Sequence, residues 1–161
     1  MKLLSVFFAI SGLFSIFEKN ISDKDWQQVT KIVYRHSDGS IAPECYRSFT
    51  VTVTADSIGV TIRNYSKVLA QKSYPNTRQA YNAFVVKLKD MGISKGKETE
   101  DLSTGGDSES LSLYKGDDKF FDAYKSGRGG NLRLKKYNIE ELFKELMTSD
   151  LIQALRNGPE I

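Results

Sequence analysis

Apolar residues recur along the chain with two periods, and each predicts a different element. Over residues 26–36, WQQVTKIVYRH, Thr30, Ile32 and Tyr34 alternate with Val29, Lys31 and Val33. A period of two built from β-branched and aromatic side chains predicts a strand. SDGS at 37–40 supplies a turn, and RSFTVTVT then sets Phe49, Val51 and Val53 against Thr50, Thr52 and Thr54. That is a half-buried strand with a polar outer face. Ala55, Asp56 and Ser57 turn the chain into IGVTIRN, where Ile58, Val60 and Ile62 alternate again. A third strand follows as hairpin partner of the second, and residues 68–74 make a fourth.

The period then changes. After the break at Pro75, Asn76 and Thr77, apolar residues recur at helical spacing through Ala80, Phe84, Leu88 and Met91, widened by Tyr81 and Val85. Asn76 or Thr77 is the expected cap of this amphipathic helix and Gly92 its end. Residues 94–107 are polar and aperiodic, and read as a long surface loop. Leu111 and Leu113 open a second β segment, turned at 116–118 and returning through 120–124, with a last strand at Leu132 and Leu134. Asn138 with Glu141 resembles a capping box for a final helix through Ile139, Leu142, Phe143 and Leu146. It re-caps near Ser149 before Leu151 and Leu155, and Asn157, Gly158 and Pro159 stop it.

Strands, a helix, more strands and a helix predict an α+β fold: an antiparallel sheet of about six or seven strands with two main helices packed on one face. The 161 residues suit one such domain, over 21–158. With 40% hydrophobic and 27% charged residues, disorder is not the default. A net charge of +3 is too small to imply nucleic acid by itself. Cys45 is the only cysteine, so neither an intrachain disulfide nor a thiolate zinc site can form.

Residues 1–17 differ in kind. Lys2 is followed by LLSVFFAISGLFSIF, uncharged until Glu18. As a helix these fifteen residues rise only about 22 Å, short of the roughly 30 Å hydrocarbon core. A secretory signal fits this pattern, with an uncleaved anchor and a buried first helix as alternatives. Ala9 and Ser11 form the nearest small-x-small pair. A cleaved signal implies a periplasmic or secreted protein. Without one the chain is membrane-anchored, through its N-terminus alone, or cytoplasmic.

Few constellations carry chemistry. His36, the only histidine, lies near Asp38 and nine residues before Cys45. A thiol nucleophile needs such a base, so His36 and Cys45 are the weak catalytic candidates. The ordinary reading is a strand end and a loop residue. A serine triad lacks a Gly-x-Ser-x-Gly elbow. Asp107, Glu109, Asp117, Asp118 and Asp122 crowd the second β segment without calcium-loop spacing, so neither a metal nor any other cofactor is expected.

Charge is distributed in blocks. Lys125, Arg128, Arg133, Lys135 and Lys136 carry +5 over 125–136 with no acid, whereas 98–122 carries a net −6. Complementary solvated faces explain most of this. The functional reading is a partner-binding surface at Arg128, Arg133, Lys135 and Lys136. STGGDSES at 103–110 and SGRGGNL at 126–132 each hold a glycine pair, but both precede strands, so turn and bulge geometry explains them better than a phosphate cradle.

TGGDSESLSLYKGDDKFF followed by GRGGNL, with the earlier RSFTVTVTADSIGVTI and its helix, resembles a group of small, uncharacterised exported bacterial proteins. Their hairpin lies between a Cys-Thr-Gly-Gly-like and a Cys-Gly-Gly-like element, and the likeness covers residues 28–155. The resemblance implies no activity. Ser103 and Arg128 stand where that pattern places cysteines, so it implies two facing positions without their cross-link. A disulfide there is typically worth about 2–4 kcal/mol.

The reading is a non-catalytic exported binding or protein-interaction module, of inhibitor or toxin-neutralising type, with a protein partner docking on 94–136. The alternative is a small enzyme or ligand carrier with a pocket between sheet and helices, with Tyr34, His36 or Cys45 at its mouth.

Overall fold

The period-two segments pair into one antiparallel sheet in the computed structural model, which describes residues 19–39, 42, 45–65, 67–99, 106–127, 129–136 and 138–156. The elements in chain order are β1 (Lys19–Asn20), α1 (Asp23–Gln27), β2 (Lys31–Ser37), β3 (Ser48–Thr54), β4 (Ser57–Asn64), β5 (Lys67–Pro75) and α2 (Arg78–Asp90). Then come β6 (Ser94–Thr99), β7 (Ser108–Lys115), β8 (Asp118–Ser126), β9 (Gly129–Arg133), α3 (Ile139–Lys144) and α4 (Ser149–Arg156). The sheet order is β1-β6-β9-β8-β7-β2-β3-β4-β5. Four consecutive strands form one half, α2 carries the chain to the far edge, and the returning strands fill the gap beside β2.

Register aligns the buried residues into rows across the sheet. Tyr74, Ile58, Val53, Ile32, Leu113 and Phe121 make one row; Lys72, Val60, Val51, Tyr34, Leu111 and Ala123 make the next. The third runs Ala70, Ile62, Phe49, His36, Glu109 and Lys125. Side chains of one strand alternate between faces, so all three rows share the inner face. Tyr81, Phe84 and Leu88 of α2, Ile139 and Phe143 of α3, and Leu151 of α4 belong to the same apolar cluster. Phe143 stacks on Tyr34 with centroids 4.4 Å apart and rings 9° from parallel, and Phe84 meets Phe143 edge-on at 5.2 Å. Each such side chain contributes about 1.5–3 kcal/mol by leaving water.

The helix ends follow local chemistry. Thr77 caps α2 by accepting from the Ala80 amide at 3.1 Å, while the Asn76 side chain donates instead to the Thr54 carbonyl at 2.7 Å. Gly92 takes φ +65°, and a side chain there would also meet the Lys135 stem at 2.9 Å. Asn138 caps α3 by accepting from the Glu140 amide. Among the described residues, no helix is long and apolar enough to cross a membrane.

Three expectations need correction. Among the described residues the sheet has eight strands and a ninth of two residues, not six or seven, and two short helices accompany α2 and α4. The first predicted strand starts late, at Lys31, because Ser22 caps a helical turn: its hydroxyl accepts from the Asp25 amide and donates to the Asp25 carboxylate. Trp26 therefore enters the core from α1. Residues 94–99, read as loop, form β6, which pairs with β9 through backbone hydrogen bonds and needs no alternating apolar face.

The second glycine pair lies inside β9. Gly130 has φ +99°, and a β-carbon there would collide with the Tyr124 carbonyl oxygen and with Lys125 Cα at 2.8 Å. Gly130→Ala should therefore cost about 2–4 kcal/mol, read as a lowered denaturant midpoint. An unchanged midpoint would refute this packing. Acid sensitivity gives a second test. Lys115 beside Asp25, and Lys72 2.5 Å from Asp150, lower both carboxyls to about 2 from an ordinary 3.8. Their stabilisation is complete above about pH 4 and fades as pH falls toward 2. NMR titration of the two carboxyls should show midpoints near 2, and Lys72→Met should return Asp150 toward 3.8 while leaving Asp25 unmoved.

Candidate functional site

Toward one end of the third row a polar pair interrupts the largely apolar inner face, His36 of β2 lying opposite Glu109 of β7. His36 is in phase with Ile32 and Tyr34, and Glu109 with Leu111 and Leu113, so both point toward the helix layer. Ile139 and Phe143 are the buried residues of α3, and Glu140 lies in its first turn. A ligand-type atom from each of His36, Glu109 and Glu140 falls within 4.8 Å of the other two.

His36 is 7% exposed and stacks on Phe49 at 5.2 Å. Its Nε2 lies 3.5 Å from Asp38 Oδ1 and its Nδ1 3.9 Å from Glu140 Oε2. The second distance is too long for a hydrogen bond, leaving Nδ1 buried without a partner. Asp38 is itself positioned, because its Oδ2 accepts from the Arg47 amide at 2.8 Å. The other oxygen of Glu140 accepts from Lys144 at 2.6 Å. Burial pulls the Lys144 ammonium down, but the Glu140 and Glu141 carboxylates outweigh it and leave its pKa raised.

Tyr34 Oη, on a residue with no exposed surface, also lacks a well-formed hydrogen bond, although the Glu109 carboxylate is close enough to interact with it. Burial first, then the charges of Glu109 and Glu140, push its pKa up, so the phenol stays neutral. An open cavity of about 330 Å³ at this end of β2, β7 and β8 is lined mainly by Arg35, Ser37, Ser108, Ser110 and Tyr124, whose side chains alternate to the outer face.

The sequence candidates are distributed differently. Both ring nitrogens of His36 face carboxylates, while Cys45 is exposed on the loop before β3. Arg133 is turned onto its own backbone, with Nη1 donating to the Gly130 and Leu132 carbonyls and Nη2 to Lys97 O. Lys135 and Lys136 are exposed where the Met91 carbonyl accepts from both their amides. Arg128, Ser103 and residues 1–18 lie outside the described residues. The acids separate: Asp122 faces outward, bonded to Ser112 at 2.6 Å, and Asp107 accepts from the Gly39 amide.

Glu140 is missing from the sequence candidates, and Glu109 was grouped there with solvated acids. The one available signal was phase, since a histidine and a glutamate each continue a core-facing alternation. Lys136 also borders an open groove of about 780 Å³ between α2 and α3, walled by Lys87, Asp90, Glu141 and Glu145 over Met91 and Leu142.

The Tyr34 hydroxyl generates a prediction. Removing a buried group that has no well-formed hydrogen bond relieves a desolvation cost, so Tyr34→Phe should leave stability unchanged or raise it by about 1 kcal/mol. A loss of more than about 1 kcal/mol in chemical denaturation would mean that the hydroxyl is bonded in solution.

Set beside known proteins, the chain matches no family model, no curated protein and no solved structure.

Proposed function

We propose that the chain is a non-catalytic, exported interaction module that seats a protein partner between α2 and α3. The observation that carries this reading is the groove beside Lys135 and Lys136. Its volume of about 780 Å³ is in the range that accommodates a peptide segment or a few side chains. Met91 and Leu142 supply an apolar floor, and charges of both signs form the rim. Such an arrangement suits recognition, with apolar contact giving affinity and rim charge giving orientation.

The Lys87–Glu145 pair, at 3.4 Å, bridges the two helices across the groove. Both side chains are well exposed, and a pair of that kind is worth about 1 kcal/mol or less, so a partner displaces it at small cost. Among the described residues neither Lys135 nor Lys136 is held in an ion pair, which favours a partner segment with an apolar anchor and acidic flanks. Export rests on the apolar run of residues 3–17.

A photo-crosslinking residue at Leu142, compared with one at Thr61 on the opposite sheet face, tests the surface in cells. One partner adduct should form from position 142 and none from 61, with yield reduced several-fold by Lys135→Glu with Lys136→Glu. Equal adducts from both positions, or indifference to charge reversal, would overturn the surface. Intact mass of the purified chain tests export: loss of the first residues supports it, and a mass retaining residues 1–17 contradicts cleavage.

A further inference from the structure

We infer that His36, Glu109 and Glu140 form a site for one divalent first-row transition ion of the zinc type, sharing no residue with the groove and independent of the interaction reading. The ligands are Nδ1 of His36 and one carboxylate oxygen from each glutamate. Nothing in the spacing of these residues announces this, since Glu140 is over a hundred positions from His36. The sheet register and the seat of α3 bring them together.

Three features of the corner support a metal over a plain ion-pair cluster. First, Nδ1 is buried and unpartnered, although histidine nitrogens in a core normally donate or accept. A metal ion satisfies that lone pair. Second, Nε2 faces Asp38, whose carboxylate is fixed by the Arg47 amide. A carboxylate behind the distal nitrogen of a ligating histidine fixes the tautomer that leaves Nδ1 free to ligate and makes it more basic. Third, Glu140 divides its oxygens: Oε1 serves Lys144 and Oε2 faces the imidazole, so ligation does not require the lysine to leave.

Distances are compatible with modest closure. Donor atoms of a tetrahedral site with bonds of about 2.1 Å stand about 3.4 Å apart. The present separations, 3.9 Å for His36–Glu140 and at most 4.8 Å within the set, shorten to that by rotation of the two half-buried glutamates. One nitrogen and two carboxylates, without thiolate, favour zinc, cobalt or manganese over magnesium and over copper(I).

The test is metal titration of the folded full chain carrying Cys45→Ser, which removes the one exposed thiol. Cobalt(II) should bind at one equivalent with a visible ligand-field spectrum, and zinc should displace it while magnesium at about a thousandfold excess does not. Glu109→Gln and Glu140→Gln, near-isosteric and half-buried, should each weaken zinc by at least about tenfold and alter the cobalt spectrum. Asp38→Asn should weaken it by about 10–100-fold as a positioning residue. Circular dichroism verifies that each variant is folded. If folded protein gives no saturable cobalt spectrum, or if binding is indifferent to both glutamine substitutions, the site does not exist and the cluster is a histidine–carboxylate ion-pair network.

Discussion

The stack of Phe143 on Tyr34 decides where the C-terminal helices lie. Tyr34 occupies the middle of the central strand β2, in the row that runs from Val60 to Ala123. Phe143 also takes the edge of Phe84, so a single aromatic contact joins sheet, α2 and α3. Because α3 is only six residues long, it has no independent stability, and its position is set by what Ile139 and Phe143 bury. Glu140 is carried along with them. The one polar corner of the core thus depends on an aromatic stack two positions from it along the strand.

The surrounding polar groups behave as that constraint requires. A carboxylate between sheet and helix is tolerated when it is paired, and Glu140 has Lys144 one turn further along the same helix. His36 has Asp38 at one nitrogen and no hydrogen-bond partner at the other. The imbalance is local: elsewhere on the inner face the rows are apolar or end in exposed ion pairs such as Lys72–Asp150. The glycines belong to the same economy of space, since Gly130 lets β9 press against β8 where a side chain has no room.

Much of the architecture was legible from alternation. The strands around Ile32, Val51, Val60, Leu113 and Phe121 appear where the period of two places them, because a one-residue slip would turn every apolar side chain to water. The helix through Phe84 and Leu88 and its stop at Gly92 were equally legible. β6 was not, because SKGKET carries no apolar pattern and pairs through its backbone. α1 was hidden by a tryptophan that reads as a strand residue until Ser22 caps the turn before it. The candidate site was half legible: His36 and Glu109 interrupt core-facing alternations, but no local pattern indicates that they share a row.

The sequence by itself determined the element types, the inward faces of the strands and the positions of the caps, because these follow from side-chain period and from hydrogen bonds within a few residues. Tertiary structure alone decided the strand order, the pairing of His36 with Glu109 and the arrival of Glu140 above them. Those depend on contacts between segments tens of residues apart, whose energy comes from burying apolar rows against one another and not from any local preference of the chain.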